Sequence, residues 1–143
     1  MGQISWARVV GGGLLAGLVG NVLEMAYGMA MRGAFEAAAR AAGRPFEMRP
    51  AAMAAHLAWT FVIGIAAVWL YAAIRPRHGR GPATAVKAAF AVWLLSHGTV
   101  ILALATLGVL PATVAAMGAA WELFETILST LVGAMIYKET GAS

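Results

Sequence analysis

The run ATVAAMGAAWELFETILSTLVGAMIY, residues 112–137, decides the fold class of this chain. A membrane-spanning helix needs about 20 mostly apolar residues, and this run reaches that length with Glu122 and Glu125 as its charged residues. The two glutamates are three positions apart, so a helix places both on one face. The run therefore predicts a spanning helix that carries two carboxylates on one side.

The composition of the whole chain points the same way. Of its 143 residues, 62% are hydrophobic and 11% are charged, whereas soluble domains have about 45–50% apolar and about 25% charged residues. The net charge is +4, but the basic residues lie beside apolar runs. This placement favours membrane orientation and contact with anionic lipid over nucleic-acid binding. The absence of cysteine excludes disulfides, thiolate metal sites and thiol nucleophiles.

Three more runs are long and apolar enough to span a bilayer. The four predicted spans are 9–31, 51–74, 88–110 and 112–137. Only Pro111 separates the last two spans, which makes them a tight antiparallel hairpin. The sequence thus predicts one domain over residues 1–143, an all-α integral membrane four-helix bundle with up-down topology and a multi-pass location in the lipid bilayer.

The basic residues that flank the spans predict the orientation of the bundle, because Lys and Arg are retained on the cytoplasmic side. One side carries six of them, namely Arg8, Arg75, Arg77, Arg80, Lys87 and Lys138. The other side carries four, namely Arg32, Arg40, Arg44 and Arg49. We therefore expect both termini in the cytoplasm. In the outward loop, FEAAARAAG (residues 35–43) predicts a short helix that lies at the membrane interface.

Small and polar residues recur at helical spacing in every span. In the first span they are Gly13, Gly17, Gly20, Asn21, Glu24 and Gly28, and in the last Gly118, Glu122, Glu125, Ser129 and Gly133. The second offers His56, Thr60 and Gly64, and the third Trp93, Ser96 and His97. Small residues let membrane helices approach closely. We therefore expect these faces to form the interior of the bundle.

The ionisable residues inside the spans are the candidate site. A helical rise of 1.5 Å per residue puts His56 about 8 Å and Glu24 about 10 Å from the outer surface, Glu122 at about 15 Å, and Glu125 and His97 at about 20 Å. This predicts a ladder of groups, with Glu24 and Glu122 as an outer site and Glu125 and His97 as a midplane pair. Such groups must be protonated, paired, hydrated or ligated, and they mark functional sites by default. Asn21 lies on the same face as Glu24.

The stretches ISWARVVGGGLLAGLVGNVLE (residues 4–24) and WLYAAIRPRHGRGPATA (residues 69–85) carry a family resemblance. Together with an acid in the last span, they resemble a family of small, uncharacterised bacterial membrane proteins with four spans. The resemblance covers most of the chain and implies the four-span topology and a bacterial inner (plasma) membrane location. It implies no activity and no cofactor, and neither His56 nor His97 belongs to the family pattern.

Three functions fit this sequence. The leading hypothesis is proton- or cation-linked binding or transport by the interior carboxylates, with a homodimer to widen the thin bundle. A second is a structural or accessory subunit of a larger membrane complex, in which protonated glutamates join the helices. A third is a metal or haem protein, although haem needs both histidines at one depth and their estimated depths differ by about 12 Å. No Walker A, GxSxG or HExxH motif suggests an enzyme.

Overall fold

The structure, a computed structural model, describes residues 4–41, 43 and 49–137. Within these residues the chain is all helical, which confirms the predicted class. There are four helices, which we number α1 (Trp6–Ala41), α2 (Pro50–His78), α3 (Pro82–Thr106) and α4 (Ala112–Met135). Helix α3 contains a π-helical turn over Leu94–Gly98.

Three of these helices, α1, α2 and α3, are long and apolar enough to cross a membrane. They indicate a membrane protein. Helix α4 has 24 residues but does not belong to this apolar set, because Glu122 and Glu125 near its centre lower its mean hydropathy.

Helix α1 is longer than the sequence predicts. Its 36 residues correspond to about 54 Å, well beyond the roughly 30 Å of a bilayer core. The segment predicted as a separate interfacial helix instead continues α1 as far as Ala41. Arg32 and Glu36 stabilise this extension, since their side chains pair at 2.8 Å one helical turn apart.

Helix α2 also runs past its predicted end. Pro76, which the sequence places in the link between two spans, lies inside the helix, and α2 ends only at His78. Gly79 then takes a φ of 81° and donates its backbone N–H to the carbonyl of Arg75. A positive φ suits glycine, which has no Cβ to clash. The link to α3 is therefore shorter than expected.

The helices form a ring in which α1 packs against α2 and α4, and α3 packs against the same two. The core lies at one end of the ring, which we name the closed end. It is formed by the first halves of α1 and α3 and the second halves of α2 and α4, with the buried residues Val9, Ala16, Val68, Tyr71, Ala72, Ala85, Ala88, Ala134 and Tyr137.

The opposite halves of the helices pack loosely, and we name this part the open end. It comprises residues 21–41, 50–63, 94–106 and 112–124, in which Ala115 is the one buried residue that the structure describes. The bundle is thus sealed at one end and accessible at the other.

Glycine brings the backbones of α1 and α4 into contact at the closed end. A Cβ added to Gly12 would lie 2.6 Å from the carbonyl oxygen of Gly133, and one on Gly133 would lie 2.5 Å from that of Gly12. On the α2 side, a Cβ on Gly64 would meet the backbone of Gly13 and Gly17. The close packing predicted for Gly13, Gly17, Gly64 and Gly133 is confirmed here, whereas Gly12 lies outside the predicted set and Gly13 and Gly17 pack on α2.

The same prediction is wrong at the open end. A Cβ on Gly28 or Gly118 would meet nothing within 4 Å. The reason is a pair of large side chains in the gap between α1 and α4, since Tyr27 stacks on Trp121 with ring centroids 4.9 Å apart. Rings of this size hold the helices too far apart for glycine contacts.

Candidate functional site

Three glutamates from two helices converge where the closed end meets the open end. Glu24 on α1 and Glu122 and Glu125 on α4 each offer one carboxylate oxygen, and these oxygens lie within 4.8 Å of one another. Gly20 leaves room for them, because a Cβ there would lie 3.2 Å from Oε1 of Glu125. Glu125 is the most deeply buried, with 6% of its surface exposed.

Two histidines from the remaining helices face this group. Nε2 of His56 on α2 lies 3.5 Å from Oε1 of Glu24. Nε2 of His97 on α3 lies 3.5 Å from Oε2 of Glu122. All four helices therefore contribute to one set of five ionisable side chains, which we name the Glu/His cluster: Glu24, His56, His97, Glu122 and Glu125.

The π-helical turn of α3 presents His97 and fixes its tautomer. The Ser96 hydroxyl donates to the carbonyl of Val92 at 2.7 Å, and its oxygen lies 3.0 Å from Nδ1 of His97. Because the hydroxyl proton is already used, Nδ1–H of His97 donates to Ser96. In the neutral ring Nε2 then carries a lone pair that faces Glu122. π-Helical turns occur frequently at functional sites.

Asn21 joins α1 to α2 beside the cluster. Its amide Nδ2 donates to the carbonyl of Gly17 at 2.9 Å and, at 3.4 Å, to that of Leu57. Among the residues that the structure describes, neither of these hydrogen bonds goes to another member of the predicted site, so the amide nitrogen of Asn21 acts in the packing of α1 on α2.

Three oxygen atoms at this place are buried and have no hydrogen-bond partner among the residues that the structure describes. They are Oδ1 of Asn21, Oε2 of Glu24 and Oε2 of Glu125. Buried polar atoms are nearly always hydrogen-bonded, so each exception needs a reason. A proton, a cation or a water molecule placed between them would satisfy these oxygens.

The members of the cluster differ in how far their side chains are exposed. The side chain of His56 is 46% exposed, whereas those of His97 and Glu122 are 23% and 16% exposed. Tyr27 and Trp121, which stack between α1 and α4, lie three residues after Glu24 and one residue before Glu122 in the chain. Within the cluster, exposure therefore falls from the imidazole of His56 to the carboxylate of Glu125.

The structure replaces the predicted ladder with this cluster. The sequence predicts that Glu125 pairs with His97 and that Glu24 and Glu125 differ by about 10 Å in depth. In the structure His97 instead faces Glu122. The carboxylates of Glu24 and Glu125 lie within 4.8 Å of each other. The predicted depths depend on where each apolar run ends, and α1 extends ten residues beyond Met31, where the first predicted span ends. Depth counted from composition therefore does not give the register between helices.

Sequence reasoning missed two parts of the site. The hydrogen bond between Ser96 and His97 was not foreseen, although their adjacency in a span hints at it. The π-helical turn leaves no mark in the sequence, since LLSHG fits an ordinary α-helix equally well.

Comparison of the chain with models of known protein families, with characterised proteins and with solved structures finds no match. The resemblance to small four-span bacterial proteins therefore stays a prediction, and the function has to be argued from the cluster.

Proposed function

We propose that this chain is a four-span protein of a bacterial inner membrane whose Glu/His cluster binds a cation or exchanges protons with it, as part of binding or transport. The observation that carries the proposal is the convergence of three carboxylates within 4.8 Å of one another, with His56 and His97 each 3.5 Å from one of them, so that all four helices contribute. Intramembrane ionisable groups are functional sites by default.

The cost of these groups argues against a purely structural role. An acid at the centre of a bilayer costs about 2.5–3.5 kcal/mol on insertion scales, and this bundle holds three of them together. No Lys or Arg lies in runs 9–31, 51–74, 88–110 or 112–137 to neutralise them. A bound cation or shared protons supply the missing positive charge.

A fourth span is part of the proposal. The 24 residues of α4 reach about 36 Å, enough to cross a core of about 30 Å. Its carboxylates face other helices, while Met117, Phe124 and Met135 are 50%, 51% and 78% exposed. Helix α4 thus has an apolar face for lipid despite its modest mean hydropathy.

The proposed orientation places the open end outside the cell. Five of the six basic residues of the predicted cytoplasmic side fall at the closed end, namely Arg8, Arg75, Arg77, Arg80 and Lys87. Lys138, like Arg44 on the other side, lies outside the described residues. A cation or proton would then reach the cluster from outside, past His56.

Flux into proteoliposomes tests the proposal. The purified full chain would be reconstituted, and proton and cation flux compared between wild type, Glu24→Gln and Glu125→Gln. We expect both variants to lower flux at least about tenfold, because each removes a charge that the transported ion needs. Glu36→Gln is the matched control, since Glu36 pairs with Arg32 away from the cluster. Unchanged flux in both cluster variants would refute the proposal.

A further inference from the structure

The two contacts between histidine and glutamate have an unusual length. Each joins Nε2 to a carboxylate oxygen at 3.5 Å, whereas charge-assisted hydrogen bonds measure about 2.7–2.9 Å. Two ligands of one tetrahedral metal ion, each bonded at about 2.0–2.2 Å, lie about 3.4 Å apart. The observed spacing is longer than that of a charge-assisted hydrogen bond and agrees with that of two ligands of one ion. Spacing alone does not distinguish His56 from His97, whereas the tautomer of His97 does.

The tautomer of His97 leads to the same conclusion. With Nδ1–H held by Ser96, Nε2 of the neutral ring directs a lone pair toward Glu122. A lone pair opposite an ionised carboxylate is repulsive unless a proton or a metal ion lies between them. Histidines that bind metals usually donate the other ring N–H to a hydrogen-bond acceptor, which fixes the ring in this way.

Glu125 provides an independent sign of a ligand. It is more than nine-tenths buried, with 6% exposure, and its Oε2 has no hydrogen-bond partner among the described residues. Its carboxyl group points into the cluster, where one of its oxygens lies within 4.8 Å of oxygens from Glu24 and Glu122. Three such groups repel one another unless protons or a cation separate them.

We infer that the Glu/His cluster binds a divalent first-row transition-metal ion of the Mn(II), Fe(II) or Zn(II) type. The ligands are the carboxylates of Glu24, Glu122 and Glu125, whose oxygens lie within 4.8 Å of one another, and Nε2 of His97, which reaches the ion on the side of Glu122. His56 faces Glu24 and is a positioning residue that orients this carboxylate. The inference rests on the proposed function and identifies the ion bound at the Glu/His cluster as a metal ion rather than a proton.

The donor set selects this class of ion. Ca²⁺ and Mg²⁺ take oxygen ligands, so an imidazole nitrogen in the set disfavours both. Mixed carboxylate and imidazole sites suit Mn(II), Fe(II) and Zn(II). The soft sulfur ligands that select Cu(I) include cysteine, which this chain lacks.

Equilibrium dialysis of the full chain in detergent tests the inference. After treatment with a chelator, the protein would be dialysed against Mn(II), Zn(II), Ca²⁺ or Mg²⁺, and bound metal measured by elemental analysis. We expect at least one transition-metal ion per chain, bound at least about 100-fold more tightly than Ca²⁺. His97→Gln should weaken binding at least about 100-fold and His56→Gln about tenfold, as expected for a ligand and an outer positioning group.

The matched control is His78→Gln, which removes an exposed imidazole at the closed end. It should bind metal as wild type does. Wild-type affinity in His97→Gln, or equal affinity for Ca²⁺, would overturn the inference. Pulsed electron paramagnetic resonance of Mn(II) on the wild-type chain tests it without a variant, since coupling to an imidazole nitrogen is expected and its absence would overturn it.

Flux data separate this inference from the proposed function. Proton flux that depends on Glu125, in a chain that binds no transition metal, would overturn the metal inference and leave the proposed function intact. Loss of both metal binding and Glu125-dependent flux would overturn the two together.

Discussion

The hydroxyl group of Ser96 determines which ring nitrogen of His97 carries the proton. Its hydroxyl proton goes to the carbonyl of Val92, so its oxygen accepts from His97. This leaves Nε2 of the imidazole free to bind a cation beside Glu122. Neither Ser96 nor His97 is part of a known motif, and their adjacency alone does not reveal this arrangement.

Replacing Ser96 with Ala should weaken metal binding about tenfold, because outer hydrogen-bond partners orient ligands and typically contribute 10–100-fold in affinity. Equilibrium dialysis against Mn(II) would measure the change. Thr106→Ala is the control, since its hydroxyl bonds only the carbonyl of Ala103 at the far end of the same helix. Equal affinity in the two variants would contradict the positioning role of Ser96.

The sequence identified the members of the site but not their partners. The ionisable residues of the cluster, Glu24, His56, His97, Glu122 and Glu125, are recognisable because charged groups stand out in apolar runs. Which carboxylate faces which imidazole depends on how the helices slide and rotate against one another. That register follows from packing over the whole interface, which periodicity along one helix does not determine.

At the scale of helices, glycine placement was the most informative feature of the sequence. Small residues at steps of three and four predicted close contact, and Gly13 and Gly17 pack closely on α2 as expected. The contact with Gly133 on α4 is made by Gly12, which lies outside the predicted face. Helix ends were less predictable. Composition ends the first span at Met31, but α1 continues to Ala41 because alanine-rich sequence and the pair of Arg32 with Glu36 favour helix outside the bilayer as well.

Gly12→Ala should destabilise the bundle by about 1–3 kcal/mol, because the new methyl group would overpack against a backbone carbonyl that cannot rotate away. Thermal unfolding in detergent, followed by circular dichroism, would show a lower Tm. Gly28→Ala is the matched control on the same helix, where a Cβ meets nothing within 4 Å. It should be neutral or stabilise slightly, by up to about 1 kcal/mol, since alanine favours helix more than glycine does. Equal Tm changes in the two variants would contradict the packing of α1 on α4.

For the whole molecule, the contrast between the ends of the bundle is the main consequence of the fold. The closed end is a packed core of small residues and aromatic rings, and the guanidinium of Arg75 is buried there over the rings of Tyr71 and Tyr137. The open end leaves His56 accessible. Under the proposed function, an ion would reach this site from the open end.

Cysteine labelling tests the proposed orientation, since the native chain has no cysteine. In intact cells, a membrane-impermeant thiol reagent should label Arg40→Cys at the open end and leave Arg77→Cys unlabelled until the cells are broken. Both positions are solvent-exposed, so access is decided by the side of the membrane. Labelling in the reverse pattern would place the closed end outside.

Self-association and membership of a larger complex remain predictions. The bundle exposes many large apolar side chains, among them Leu95, Leu102 and Leu107 at 75%, 64% and 76%. Lipid, a second copy or another subunit would cover them equally well. Native mass spectrometry from mild detergent would distinguish the three.

The central claim is that four helices bring their ionisable side chains to one cation. A crystal structure of the full chain grown with Mn(II), with diffraction data collected near the manganese absorption edge, tests it most directly. We expect an anomalous peak about 2.0–2.2 Å from carboxylate oxygens of Glu24, Glu122 and Glu125 and from Nε2 of His97. Carboxyl groups that each bond a carbonyl of their own helix, with no peak between them, would contradict the claim.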